Sequence, residues 1–85
     1  MRHRAPPEFW KAYHSLPEDV RELAKRCFAT LKADSSHPSL QLKRVGRYWS
    51  VRIGLHYRAV GIDAPEGIVW FWIGRHGQYD SIVRR

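Results

Sequence analysis

The chain is poor in cysteine. Cys27 is its single thiol, so no internal disulfide can form, and this usage fits a reducing compartment. Long apolar runs are missing too. The longest, Ile68 to Ile73, is far short of the ~18 residues a membrane-crossing helix needs. The opening stretch MRHRAPPEF is basic but has no apolar signal-peptide core, so the expected location is the cytoplasm, with no membrane partner. No repeat, low-complexity tract or linker divides residues 1–85, which read as one domain. Metal-ligand spacing is also lacking. His3, His14, His37, His56 and His76 are scattered and there is no second cysteine, so neither a metal nor any other small-molecule cofactor is expected. Gly74-Arg75-His76-Gly77 is not a phosphate loop, and no strained-turn serine motif signals a hydrolase triad.

Negative charge is the other scarcity: eight Asp and Glu face fifteen Lys and Arg, for a net charge of +7. The surplus is lopsided. Residues 1–40 hold seven basic and five acidic side chains, and residues 41–85 hold eight and three. Eleven of the fifteen are arginine, whose planar fork grips a phosphate in two places. This balance points to a polyanion such as nucleic acid. A solubility charge or an acidic protein partner would produce the same count.

The apolar pattern sets the fold class. Pro6 or Pro7 can open a first helix, along which Phe9, Trp10, Tyr13 and Leu16 recur at helical spacing. Ser15 to Ala33 reads as the main helix. Ser15 and Glu18 have capping-box spacing, and Val20, Leu23, Ala24, Cys27, Phe28 and Leu31 make one apolar stripe. Cys27 lies on that stripe and reads as a small core hydrophobe. A polar connector over residues 34–39 leads into four strands: Leu40 or Gln41 to Val45, Tyr48 to Ile53, Tyr57 to Ile62, and Ile68 to Ile73. Residues 1–5 read as a loose arm, Gly74 as the end of the last strand, 76–83 as one helical turn, and Arg84 with Arg85 as frayed. The expected fold is α+β, with an N-terminal helix hairpin on a four-stranded, mostly antiparallel sheet and a short C-terminal helical turn.

In the second strand, Trp49, Val51 and Ile53 point toward the helices, while Tyr48, Ser50 and Arg52 point away. Arg52, Arg58, Arg75, His76 and Tyr79 then gather at or just after the strand ends. They divide by chemistry. Arginine does not exchange its proton at neutral pH, so the three arginines can only clamp and stabilise an anion. An imidazole can give or take a proton and a phenol can serve as an acid, so His76 and Tyr79 can carry protons. RNA cleavage by its own 2′-hydroxyl needs those parts: a base, a cation for the charge on phosphorus, and an acid for the 5′ oxygen. Lys43, Arg44, Arg47, Tyr48 and Ser50 would line the RNA path. Plainer readings stand beside these. Arg52 and Arg58 could be exposed strand residues and His76 a cap, Tyr79 could only pack its ring, and Lys43, Arg44 and Arg47 could be a solvated edge. Trp70 and Trp72 read as core.

Five pieces carry a family resemblance: Leu16-Pro17, His37-Pro38-Ser39-Leu40, Tyr48-Trp49-Ser50-Val51-Arg52-Ile53, Tyr57-Arg58-Ala59-Val60, and Trp70 through Tyr79. In combination the sequence resembles the RelE/ParE superfamily of bacterial type II toxin–antitoxin toxins. The resemblance implies a sheet that cradles messenger RNA on the ribosome, a metal-free endoribonuclease leaving a 2′,3′-cyclic phosphate and inhibiting translation, and a cognate antitoxin as partner. It implies catalytic roles for Arg52, Arg58, Arg75, His76 and Tyr79. The lysines RelE carries on the strand equivalent to 48–53 are replaced here by Ser50 and Arg52, which moves proton transfer toward His76. The strand that precedes the helices in these toxins is missing from the sequence pattern. The same resemblance admits a non-catalytic ParE-like toxin that binds gyrase, or a degenerate module that only binds RNA or antitoxin.

Overall fold

The computed structural model describes residues 2–84. In chain order it contains β1 (Arg2–Arg4), α1 (Pro7–His14), α2 (Glu18–Ala33), a 3-10 turn (Pro38–Leu40), β2 (Lys43–Val45), β3 (Tyr48–Ile53), β4 (Tyr57–Ala64), β5 (Gly67–Arg75) and α3 (His76–Val83). The strands form one mixed sheet in the order β1-β5-β4-β3-β2. β1 runs parallel to β5, and every other pair is antiparallel. No helix among the described residues is long and apolar enough to cross a membrane.

The sheet therefore has five strands, not the four expected, and residues 2–4 are a strand rather than a loose arm. Three polar-looking residues, Arg2, His3 and Arg4, carry no apolar alternation, so only their pairing with β5 reveals them. That pairing depends on Gly67, which lies opposite Arg2, where any Cβ would collide with the Arg2 backbone. His3 fastens the strand from the side, its Nδ1 accepting a bond from the Trp70 indole at 3.1 Å. The reading of Arg84 as frayed is not met: its backbone N–H caps α3, donating to the carbonyls of Asp80 and Ile82, and Arg85 lies outside the described residues.

Two apolar clusters hold the sheet, one on each face. The larger joins Phe9 of α1 and Val20, Ala24, Cys27 and Leu31 of α2 to Val51, Ile53, Ala59, Ile68, Trp70 and Ile73. Fully burying a side chain such as Leu31 contributes about 2 kcal/mol. Leu23, expected on the α2 stripe, is instead 40% exposed above the Gly54 turn. The smaller cluster sets Tyr79 and Ile82 of α3 against Tyr48, Val60, Phe71 and Trp72 on the opposite face.

A β-bulge explains how β5 serves both clusters. Gly61 pairs with Trp70 but Val60 pairs with Trp72, so Phe71 is an extra residue that resets the alternation. Two further expectations fail locally. Ser15 does not cap α2; its hydroxyl donates to the Ala12 carbonyl at 2.7 Å, and Pro17 stands at the N-cap without a side-chain bond. Gly74 does not end β5, which runs on to Arg75.

Candidate functional site

The β3–β4 hairpin places Arg52 and Arg58 directly opposite each other. Their neighbours on that face, Ser50, Tyr48 and Val60, are buried, with Tyr48 and Val60 packed against α3. Like charges facing across two strands are unfavourable, so this pairing costs stability unless an anion joins them. No anion from the chain does so: among the described residues neither arginine has a carboxylate within ion-pair distance. Arg52 Nε donates to the Gly54 carbonyl at 2.9 Å, and Arg58 Nη1 to the Tyr57 carbonyl at 2.9 Å. Each guanidinium has five N–H donors, so most remain free. Burial holds the Arg58 guanidinium below its ordinary pKa. Repulsion from Arg52 adds to this, and the nearby Tyr79 opposes it.

The start of α3 completes the cluster. The His76 N–H donates to the His56 carbonyl at 2.7 Å, tying the helix to the β3–β4 hairpin loop. The exposed His76 ring lies nearly parallel to that of Tyr79, 6.0 Å away with an 11° interplanar angle. Tyr79 itself is 6% exposed, and its hydroxyl is sealed from solvent with no hydrogen-bond partner among the described residues. Buried hydroxyls are normally paired, so this one is an exception. Together the face offers two uncompensated cations, one exposed imidazole and one unpartnered phenol.

The ParE-like toxin domain model matches residues 18–81, most of the chain. The chain belongs to the ParE-like toxin domain family, within the RelE/ParE superfamily of toxins. Solved toxin structures of this superfamily share the fold. The RelB–RelE antitoxin–toxin complex from Methanococcus jannaschii superimposes with a TM-score of 0.71 at 16% identity, covering 93% of this chain and 96% of that one. The YoeB/ParE toxin from Agrobacterium tumefaciens gives 0.68 at 15% identity, over 89% and 99%. The isolated E. coli RelE toxin gives 0.63 at 15% identity, over 96% and 95%. No curated protein matches the chain by sequence.

In this toxin domain the other expected site residues fall elsewhere. Because β5 continues through Gly74, Arg75 lies opposite Tyr57 on the helix-facing side, with its guanidinium 5.8 Å from that ring. Arg44 binds both oxygens of Asp63 and covers the Trp49 ring at 4.9 Å, and Trp49 Nε1 also donates to Asp63 at 2.8 Å. Arg47 covers Tyr48 at 5.1 Å and donates to its hydroxyl at 3.0 Å. Lys43 is exposed on the edge strand opposite Ser50, which is 1% exposed and presents nothing to solvent.

Sequence reasoning passed over two features of this face. Gly74 lies opposite Arg58, and a Cβ there would come within 2.6 Å of the Trp72 indole. The missing side chain thus lets Trp72 lie beside the arginine pair. Ile62 is 41% exposed and sits opposite Tyr48. The alternation Arg58, Val60, Ile62 along β4 was the available signal for it. Cys27 takes no part: its Sγ donates to the Arg52 carbonyl at 3.3 Å, and burial pushes its pKa up to about 11, so it stays a thiol.

Proposed function

We propose that this toxin domain is a metal-independent endoribonuclease that cuts messenger RNA on the ribosome, inhibits translation, and is restrained by a cognate antitoxin in the cytoplasm. The observation that carries the reading is the uncompensated Arg52–Arg58 pair beside the unpartnered Tyr79 hydroxyl. A purely structural hairpin gains nothing from two facing arginines, whereas a phosphodiester supplies the missing negative charge. The antitoxin assignment takes support from the solved RelB–RelE complexes that share the fold.

The residues divide the reaction among themselves. Arg52 and Arg58 hold the scissile phosphate and stabilise the second negative charge that develops on it. His76, exposed at the rim, takes the proton from the 2′-hydroxyl. The 2′ oxygen then bonds to phosphorus as the bond to the 5′ oxygen breaks. Tyr79 gives its proton to that leaving oxygen, and the products are a 2′,3′-cyclic phosphate and a 5′-hydroxyl. Because the phenol is sealed in the free chain, the groups that cover it must move aside for substrate to reach it.

Primer extension on messenger RNA during translation tests this. Discrete cuts within codons are expected from the wild-type chain, and Arg58→Ala should cut at least ~10²-fold more slowly while remaining folded. The family description, ParE-like, favours one second reading, a toxin that poisons gyrase. Intact message together with trapped gyrase–DNA complexes would establish that reading and remove the nuclease.

A further inference from the structure

We infer that the recess at the far end of the α3-bearing face, walled by Arg44, Arg47, Tyr48, Ile62, Asp63 and Phe71, is a second RNA subsite that takes one unpaired nucleobase with its phosphate. The identity of the polymer rests on the nuclease reading; the subsite's geometry does not. The recess has a volume of about 530 Å³, within the range of small-ligand sites.

Its walls suit a base. The rings of Tyr48 and Phe71 stand 5.9 Å apart and tilted by 48°, and Ile62 beside them is exposed. Bases stack on such surfaces without regard to sequence. Its charges suit a phosphate. Arg47 is held over Tyr48 and spends one donor on the Tyr48 hydroxyl, leaving the rest of its fork free. Asp63 would repel a phosphate if it stood alone, but Arg44 binds both of its oxygens and Trp49 binds one of them. That wall is therefore fixed and neutral, and Arg47 is the unneutralised cation. Arg44 accordingly acts as a positioning residue and not as an RNA contact.

Spacing separates this subsite from the cleavage site. Tyr48 and Ile62 face each other across β3 and β4, as Arg52 and Arg58 do four residues along, which is about 13 Å away. The nucleotide in the recess is therefore a neighbour of the one that is cut. It anchors the strand while the arginine pair works on the scissile phosphate.

The test uses the full chain and a short unstructured RNA methylated at every 2′ oxygen, which binds but cannot be cut by its own hydroxyl. Binding is followed by NMR chemical shifts, so that weak association is read. The wild-type chain should show shifts of the Tyr48 and Phe71 rings. Arg47→Ala and Ile62→Asp should each weaken binding about 10-fold. Both positions are exposed, and a thermal melt checks that both variants fold. Folded variants that bind as tightly as the wild type overturn the subsite, as they would if the recess received a protein segment instead. Weakening by Arg47→Ala with a neutral Ile62→Asp also overturns it, since that describes a phosphate contact without a base pocket. If the wild type binds this RNA through the recess yet never cuts unmethylated message, the subsite stands and the nuclease reading falls. No RNA binding at all overturns both.

Discussion

Tyr79 carries a buried side-chain oxygen that no other group in the described residues satisfies. Leaving a hydroxyl in that state costs about 1–3 kcal/mol, so a residue kept only for packing would do better as phenylalanine. Tyr79→Phe separates the two roles. Stability should hold or rise by up to about 1 kcal/mol, while cleavage falls ~10²–10⁴-fold. Wild-type cutting by Tyr79→Phe would reduce the residue to a ring that packs on Val60. The residues of this site were unequally legible in the sequence. Arg52 could be found because alternation along β3 puts it on the face away from the main core, and Arg58 because the hairpin sets it opposite Arg52. Arg75 could not be placed, because Gly74 looked like a strand end and the strand passes through it, turning Arg75 to the other side. The orphaned phenol was invisible, since it depends on what α3 covers and not on spacing.

At the scale of elements, α2 was legible from its period, and β3 and β4 from theirs. β1 and the β5 bulge were not, because both are set by long-range pairing over very few residues. The attachment of β1 has a consequence for pH. His3 can accept the Trp70 indole N–H only through an unprotonated Nδ1. Burial, with Lys32 nearby, holds the His3 pKa below its ordinary value. The other charged groups of this strand, Arg2 and Arg4, both lie within ion-pair distance of Glu66. Since the folded-state pKa is depressed below an unfolded value of ~6.5, the unfolded chain binds more protons in that window. The contribution of His3 is fully present above the unfolded value and is lost as pH falls through the folded one. The thermal midpoint should therefore drop between about pH 7.5 and about pH 5, and His3→Gln, which can still accept the indole proton, should flatten that slope. An unchanged slope in His3→Gln would place the titration elsewhere.

Over the whole molecule, charge and layering act together. The helices cover one face of the sheet, α3 covers the middle of the other, and four cations in no ion pair among the described residues border that second face. The fifteen Lys and Arg side chains are an upper limit on what RNA can use, and several of the arginines are already occupied. Arg44 is tied to Asp63, Arg2 and Arg4 to Glu66, and Arg75 sits over Tyr57 on the helix side. Lys43, Arg47, Arg52 and Arg58 remain on the α3-bearing face or its edge. Single-stranded RNA held by four such contacts should show a log–log dependence of affinity on salt with a slope of about −3. Arg47→Ala should make that slope shallower by about 0.7. Arg44→Ala should leave it unchanged and instead lower stability, most clearly at neutral pH. The reason is that Arg44, and after it Trp49, holds the Asp63 carboxyl below its ordinary pKa. A depressed carboxylate stabilises the fold above its unfolded pKa, and that contribution fades only as pH falls below about 4. Binding titrations across salt concentrations, with melts of the same proteins, read both effects. A slope near zero removes the electrostatic cradle. A loss of slope in Arg44→Ala equal to that in Arg47→Ala would make Arg44 an RNA contact after all.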